Sequence, residues 1–285
     1  MKYLTLFALI SLNAQANPDA VYGDDNRMDV YAVTNPLFVK LAQSTAGMIL
    51  KTNITTAKGE SVITGKSLGD MFKLCPEERF RNQVSAANCS GTLVAPDLIM
   101  TAAHCYDLAK STCKEYVWVF DFKVSKENQP SVTVSSDNVY DCKEVVLKEM
   151  DLKNGIDHAL IKLARPVSDR DFAKLRSKGT VSVNDPLVLI GHPSGLPTKI
   201  AADAYVLKVM KDSFTSNLDA FTINSGSGVF NAKTGEVEGI LSSGQQDYDG
   251  KGNCTSLKKY EMSEGNETVV MPTKVSAFLK TYLKN

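Results

Sequence analysis

Three short segments carry side chains whose chemistry could combine. A histidine, His104, stands at the far end of a predicted hairpin, where small residues let the backbone pack tightly beside an imidazole. An aspartate, Asp157, opens an apolar run, and Ser225 lies among small residues at a turn. A buried carboxylate fixes the tautomer of a histidine that acts as general base, and backbone N–H groups at a turn stabilise a developing oxyanion. The three segments therefore predict nucleophilic catalysis by a serine.

Each of these residues also has an ordinary structural interpretation. Taken alone, Asp157 is typical of a turn that precedes a strand, and Ser225 is typical of a Ser/Gly turn. The serine is not part of a G-x-S-x-G nucleophile elbow, because Ile223 stands where the first glycine of that motif must be.

The elements around these residues are predicted to be strands. Between residues 44 and 240, short apolar or alternating runs follow one another and are separated at close intervals by turn residues. This pattern favours an all-β barrel or sandwich architecture. The polar stretch 169–177 predicts a linker that divides the chain, and apolar residues at helical spacing over 273–283 predict a C-terminal amphipathic helix.

The first residues predict the compartment. Residues 1–16 comprise a charged start, a short apolar run and an A-x-A-like end, the pattern of a cleaved secretory signal. No later segment reaches the length of a membrane anchor, so we expect a secreted or periplasmic protein. Export favours disulfides for the six cysteines. They are Cys75, Cys89, Cys105, Cys113, Cys142 and Cys254.

Composition excludes several classes of partner and cofactor. The 285 residues include 32 basic and 32 acidic side chains, which argues against a nucleic-acid binder. No C-x-x-C occurs and the three histidines are far apart, so we expect no metal and no other cofactor. The acidic loop 247–253 could suit calcium but lacks the terminal glutamate of an EF-hand loop, and a solvated turn is the alternative.

Together the motifs resemble those of the trypsin/chymotrypsin-like serine endopeptidases, most closely their bacterial glutamyl-endopeptidase (V8-like) branch. T-A-A-H-C at 101–105 matches the histidine motif, D-H-A-L-I at 157–161 the aspartate motif, and N-S-G-S at 224–227 the serine motif. The resemblance implies two six-stranded antiparallel β-barrels with the active site between them. It places a first barrel and N-terminal extension in 17–168, and a second barrel and helix in 169–285.

By the same resemblance, His104 is the general base, Asp157 orients it and Ser225 is the nucleophile of a serine endopeptidase. The backbone N–H groups of Ile223 and Ser225 would form the oxyanion hole. A Cys89–Cys105 bridge would hold the histidine against the first strand. We expect a monomer that acts on protein or peptide substrates.

The residue before N-S-G-S departs from the family pattern, which has glycine where this chain has Ile223. A β-branched residue strongly disfavours positive φ, so Ile223 is predicted either to be strained or to present a flipped peptide. Two functions therefore remain open: an active endopeptidase, and a catalytically impaired homologue that binds protein targets through the same cleft. A calcium-binding or adhesive β-protein is a third.

Substrate preference is predicted from positions near the serine. Asp219 lies six residues before Ser225, the offset at which trypsin-like members place the carboxylate that binds Lys or Arg. Leu241 stands where glutamyl members have a histidine, which argues against a preference for Glu. We expect Ser242, Ser243 and Gly244 to form the edge that pairs with the substrate backbone. The alternative for Asp219 is a surface carboxylate without contact to substrate.

Two further segments resemble those of V8-like enzymes. Residues 21–27 are similar to the start of the mature enzymes, so 17–20 could be a very short propeptide. Asn224 is neutral and cannot pair with a freed amine, which argues against activation by N-terminal insertion. The loop 191–195 contains His192, which we interpret as structural because no nucleophile is assigned to it.

Overall fold

The structure is a computed structural model and describes residues 21–106, 113–127, 129–176 and 178–283. The predicted signal peptide, 1–16, and the predicted propeptide, 17–20, lie outside the described residues. Within the described ranges, every helix is too short or too polar to cross a membrane.

Six strands of the N-terminal part close into an antiparallel barrel. The strands of this part are β1 (Val21–Tyr22), β2 (Arg27–Asp29), β3 (Thr45–Leu50), β4 (Ile54–Ala57), β5 (Glu60–Ile63), β6 (Lys66–Ser67), β7 (Val84–Ser85), β8 (Ala87–Ala95), β9 (Leu98–Thr101), β10 (Tyr116–Phe120), β11 (Val132–Ser135), β12 (Val139–Asp151) and β13 (Ile156–Leu163). The barrel order is β10-β12-β13-β9-β8-β3, and β3 pairs with β10 to close it. Helices α1 (Pro36–Ala42) and α2 (Leu68–Phe72) lie outside it.

A second antiparallel barrel follows. Its part of the chain contains β14 (Pro186–Gly191), β15 (Lys199–Val209), β16 (Ser213–Ser216), β17 (Gly228–Asn231), β18 (Val237–Ser243), β19 (Tyr248–Lys251), β20 (Cys254–Leu257), β21 (Lys259–Tyr260), β22 (Glu267–Val270) and helix α3 (Thr273–Tyr282). Six strands run in the order β14-β17-β18-β22-β16-β15, and pairing of β14 with β15 closes the ring. The predicted fold of two six-stranded antiparallel β-barrels with a C-terminal helix is confirmed.

Strands β9, β10 and β14 read as continuous apolar runs because both of their faces are buried. In β10, Trp118 and Phe120 point into one core cluster, whereas Val117 and Val119 point into another on the opposite side. Successive side chains of a strand alternate between faces, so a strand covered on both sides needs apolar residues at every position. Strand β14 is built in the same way in the second barrel.

Helix α3 packs against the interior with one face. Val275 and Leu279 are buried in a cluster that also contains residues of both barrels, and Phe278 packs against it from the edge. The predicted helical spacing is therefore the spacing of the buried face. Leu283, which the pattern also included, follows the last helical residue and is 57% exposed.

Three connections fasten the N-terminal part of the chain to its C-terminal part. Strand β2 adds to the edge of β15, and β1 pairs in parallel with β21. A disulfide joins Cys75 to Cys254 in β20. Strand β2 is therefore part of the wall of the second barrel, whereas β1 and Cys75 join the small sheets outside it.

Candidate active site

His104 lies in a short 3-10 turn directly after β9, at the face of the first barrel that looks toward the second. Ala102 and Ala103 before it are fully buried, so their small size lets the turn sit against the barrel. Cys105 is bonded to Cys89 of β8, which ties the turn to the neighbouring strand. The backbone of His104 is thus fixed from both sides.

Asp157, in β13, is fully buried and holds His104 by two hydrogen bonds. The imidazole Nδ1 lies 2.6 Å from Asp157 Oδ2, and the His104 backbone N–H donates to Oδ1 at 3.0 Å. Ser242 Oγ donates to Oδ2 at 2.5 Å. A carboxylate at Nδ1 makes that nitrogen the donor, which leaves Nε2 of a neutral imidazole as a proton acceptor.

Burial by itself would raise the pKa of the Asp157 carboxyl group. The hydrogen bonds from His104 and Ser242 outweigh that effect, and the pKa lies below its ordinary value. Asp157 is therefore ionised at neutral pH and carries the negative charge that would stabilise a protonated His104.

Ser225 belongs to the second barrel and lies in the turn before β17. Its backbone contacts β8 of the first barrel, the strand to which the turn of His104 is bonded. Its carbonyl oxygen accepts a hydrogen bond of 2.8 Å from the backbone N–H of Ser90, which is next to Cys89. Its Oγ points toward Ser242 O at 3.5 Å. Among the described residues, no hydrogen bond joins Ser225 Oγ to His104.

The turn around Ser225 requires the glycine that follows it. Gly226 has φ +83°, and a Cβ placed there would lie 2.2 Å from both Ser90 O and Thr101 Oγ1. Only glycine combines this backbone conformation with so close an approach between the two barrels. The buried Asn224 side chain braces the same turn by accepting from Ser227 Oγ at 2.6 Å.

Ile223 is predicted either to be strained or to present a flipped peptide, and the structure shows the strained conformation. Its φ is +67°, in the left-handed region that favours glycine, and Phe221 two residues earlier is at φ +64°. The Asn224 N–H closes the turn onto Phe221 O at 3.4 Å. Within the described part of the chain, the backbone N–H groups of Ile223 and Ser225 donate to no protein atom. Two free donors therefore flank Asn224.

A cavity of about 180 Å³ opens beside Ser225. It is lined by Phe221, Thr222, Ile223, Ser225, Leu241, Ser242, Ser243, Gly244, Gln245, Asp247 and Glu267. The structure thus brings Ser242, Ser243 and Gly244, which we expected at the substrate edge, together with Ser225 and Ile223. A larger groove of about 1000 Å³ lies between α3 and residues 172–181, and contains none of the predicted site residues.

Asp219 is not among the residues that line this cavity. Its buried carboxylate accepts the backbone N–H groups of Tyr22 and Asn26, at 2.9 and 2.8 Å. The residue six positions before Ser225 therefore contacts the N-terminal segment. A contact between Asp219 and a substrate side chain stays a prediction.

Sequence reasoning missed the two carboxylates that do line the cavity. Glu267, on β22, accepts from Tyr22 Oη at 2.9 Å and from the Gln245 N–H at 3.1 Å. It lies against Gly244, where an added Cβ would be 1.7 Å from its carboxylate oxygen. Asp247 belongs to the loop considered for calcium, yet it accepts the Thr222 N–H at 2.6 Å. Neither position carries a local motif that could have assigned it.

Burial raises the pKa of Glu267 to about 8, and the nearby Asp247 and Asp219 add to the shift. Burial also raises the pKa of Asp247 to about 6. Carboxyl groups crowded in a site with little water hold their protons more tightly until a cation joins them. Both acidic residues that line the cavity therefore have pKa values above those of exposed carboxyl groups.

His192 is fully buried, and its backbone N–H donates to Ser90 Oγ at 2.9 Å. Its Nδ1 lies 3.0 Å from Leu196 O, and its ring stacks on Phe122 with centroids 5.5 Å apart. Burial lowers its pKa to about 4, so it is neutral at ordinary pH. These contacts agree with its interpretation as a structural residue.

Known proteins resemble this chain both in sequence profile and in fold. The profile of the trypsin-like peptidase domain matches residues 89–240, more than half of the chain. A structure of Glu endopeptidase in complex with MPD superposes with a TM-score of 0.55 at 16% identity, covering 92% of this chain and 98% of that one. At that identity the likeness concerns the fold.

Two other solved structures align less well. The VesB protease of Vibrio cholerae gives a TM-score of 0.47 at 14% identity, covering 80% of this chain and 60% of its own. Rv3671c of M. tuberculosis gives 0.49 at 14% identity, covering 88% and 92%. A search of curated protein sequences found no significant match.

Proposed function

The chain belongs to the trypsin-like peptidase family, and on this basis we propose that it is a secreted serine endopeptidase with Ser225 as nucleophile, His104 as general base and Asp157 as the orienting carboxylate. The observation that carries the proposal is the Asp157–His104 pair, joined at 2.6 Å and fixed next to the turn of Ser225. Three disulfides in the described residues support an oxidising compartment, in keeping with the predicted signal at 1–16.

In the first half of the reaction, Ser225 Oγ turns from Ser242 O toward Nε2 of His104, which takes its proton as Oγ attacks the peptide carbonyl. The carbonyl oxygen becomes an oxyanion that the N–H groups of Ile223 and Ser225 stabilise. His104 then gives the proton to the leaving amine, and the C–N bond breaks to leave an acyl-enzyme. Water, deprotonated by His104, hydrolyses the ester and restores Ser225.

The cavity beside Ser225 supports a basic residue before the scissile bond. Its charged lining residues are Asp247 and Glu267, both acidic. We assign to Glu267 the binding of the basic side chain, which the sequence suggested for Asp219, because Glu267 lines the cavity. Leu241 lines the cavity as well, which again disfavours a substrate glutamate. The end of β18, at Ser242 and Ser243, is the edge for the substrate backbone.

A catalytically impaired homologue that binds protein targets is the second candidate. Two observations favour it: the positive φ of Ile223, and the orientation of Ser225 Oγ toward Ser242 O instead of His104. In this case the cleft would bind peptide segments without cleaving them.

Covalent labelling separates the two candidates. An active endopeptidase should react with a fluorophosphonate at a single site, with loss of peptidase activity, and the Ser225→Ala variant should remain unlabelled. Trypsin in the same buffer serves as the positive control, and the melting temperature shows that the variant is folded. Absence of labelling in folded wild-type protein, under conditions that label trypsin, would overturn the proposal in favour of the binding module.

A further inference from the structure

The loop 191–195 has no role in the chemistry above, yet it meets the loop before Ser225. The backbone N–H of Ser194 donates to Thr222 O at 2.7 Å. Ser194 is fully buried and has φ +52°, a conformation that L-residues adopt only at a cost. Ser85 Oγ donates to Ser194 O at 2.6 Å and so holds the loop in place.

The other backbone group of Thr222 is held from the opposite direction. Its N–H donates to Asp247 Oδ2 at 2.6 Å. The next residue, Tyr248, forms a hydrogen bond with Ser194, the residue that holds Thr222 O. Its Oη lies 2.5 Å from Ser194 Oγ. Ser194 and Asp247 thus hold the two backbone groups of Thr222, and Tyr248 connects Asp247 to Ser194. We call these three residues the Thr222 clamp.

This grip determines the direction of a neighbouring donor. In a planar trans peptide the C=O and N–H point in opposite directions, so fixing Thr222 O also fixes the N–H of Ile223. That N–H donates to no protein atom of the described residues and belongs to a residue lining the cavity beside Ser225. Without the clamp, a rotation of the peptide would let Ile223 leave its unfavourable φ of +67° and would turn the donor away.

We propose that the Thr222 clamp positions the oxyanion donor of Ile223, and that Asp247 is its essential positioning residue. The clamp compensates for the absence of glycine at position 223 by holding a β-branched residue in a conformation that glycine would adopt freely. The inference rests on the proposed endopeptidase function for its kinetic consequences, whereas the conformational part concerns the fold alone.

Asp247 also lines the cavity, so a role in substrate binding has to be distinguished from positioning. Loss of a charge partner for a basic side chain would raise KM for substrates with Lys or Arg and spare substrates with a neutral residue. Loss of the oxyanion donor lowers kcat for every substrate, because the donor acts in the transition state.

The kinetic test compares Asp247→Ala, Asp247→Asn and Asp249→Ala on one basic and one neutral ester substrate. Asp247→Ala should lower kcat on both by about 10²–10³-fold, the usual effect of removing one oxyanion donor. Asp247→Asn keeps an oxygen acceptor for Thr222 N–H and should stay within about tenfold of wild type. Asp249 is exposed and bonds to Gly250 N–H at 2.9 Å, so Asp249→Ala is a matched control that should match wild type.

A second substitution makes the test specific for backbone strain. In an Ile223→Gly background the peptide can take the productive orientation without a clamp, so Asp247→Ala should lower kcat by about tenfold or less. Equal losses in the wild-type and Ile223→Gly backgrounds, or a loss confined to KM for the basic substrate, would contradict the clamp.

Thermal unfolding tests the clamp without any need for activity. It compares the wild type with Asp247→Ala, Ile223→Gly and the double variant. With Asp247 present, Ile223→Gly relieves strain, whereas in Asp247→Ala the loop has already relaxed. The change in Tm caused by Ile223→Gly should therefore be about 2–4 °C more positive in the wild-type background than in the Asp247→Ala background. Additive changes in Tm would overturn the clamp even if labelling shows an active enzyme. If the changes in Tm are not additive but the folded wild-type protein is not labelled by the fluorophosphonate, the proposed endopeptidase function is overturned and the clamp is not.

Discussion

Replacing Asp157 by asparagine should lower kcat by about 10⁴-fold and leave the fold intact. The amide NH₂ would face Nδ1 of His104, where the carboxylate now accepts at 2.6 Å. Nδ1 would then become the acceptor and Nε2 would carry the proton, so the imidazole could no longer take a proton from Ser225. The amide oxygen of the variant, in the place of Oδ1, can still accept the backbone N–H of His104, which limits the loss of stability.

Steady-state kinetics on an ester substrate, together with the rate of fluorophosphonate labelling, measures this effect. Both rates should fall in parallel, because both need a deprotonated Ser225. The Ser225→Ala variant defines the background rate, and melting temperatures show whether each variant is folded. An Asp157→Asn protein that retains a tenth or more of wild-type turnover would show that His104 is not oriented by this carboxylate.

The second large effect concerns the cavity. Glu267→Gln should lower kcat/KM for substrates with Lys or Arg before the scissile bond by about 10²–10³-fold, since removing one partner of a buried charge pair costs about 3–4 kcal/mol. Substrates with a neutral residue at that position should be affected little. Asp219→Asn is the matched control: it changes another buried carboxyl group, which lies outside the cavity, and should leave the preference for basic residues unchanged.

The pH dependence gives an independent measure of the same group. Burial raises the pKa of Glu267 to about 8, so the free enzyme carries the carboxylate mainly above that pH. For basic substrates, kcat/KM of the wild type should therefore rise as pH passes through about 8, and Glu267→Gln should lack this rise. A wild-type profile that is unchanged by Glu267→Gln, or a loss of basic preference in Asp219→Asn, would contradict the assignment.

Stability should change in the opposite direction with pH. The folded pKa of Glu267 lies above its ordinary value of 4.5, so the protonated form favours folding. That contribution is fully present below about pH 4.5 and is lost as pH rises through the folded pKa near 8. As pH rises over this range, the Tm of the wild type should therefore fall relative to the Tm of Glu267→Gln.

Local patterns in the sequence predicted an all-β architecture and the residues proposed to carry the chemistry, and the resemblance to a known family implied the two barrels. Strands such as β10 and β14 appear as apolar runs because both of their faces are buried, and α3 shows the 3.6-residue spacing of Val275 and Leu279. His104 and Ser225 each stand inside a contiguous motif whose neighbours, small or glycine, are required by the backbone. Such requirements are imposed by adjacent residues and are therefore visible in the sequence.

The cavity could not be predicted in this way, because its charge comes from residues far apart in the chain. Glu267 reaches the cavity only because β22 pairs with both β16 and β18. An offset counted from Ser225 pointed instead to Asp219, which the N-terminal segment occupies with Tyr22 and Asn26. Loop lengths change such offsets without leaving a local signal.

Periodicity thus predicted an all-β barrel or sandwich and contiguous motifs the candidate residues His104, Asp157 and Ser225, while the resemblance to a known family implied the two barrels and the conflict posed by Ile223. How the chain resolves that conflict, and which carboxylate faces the cavity, became visible only in the folded arrangement. Both answers depend on hydrogen bonds between distant segments, such as Ser194 to Thr222 and Tyr22 to Glu267, and these form only when the chain is folded.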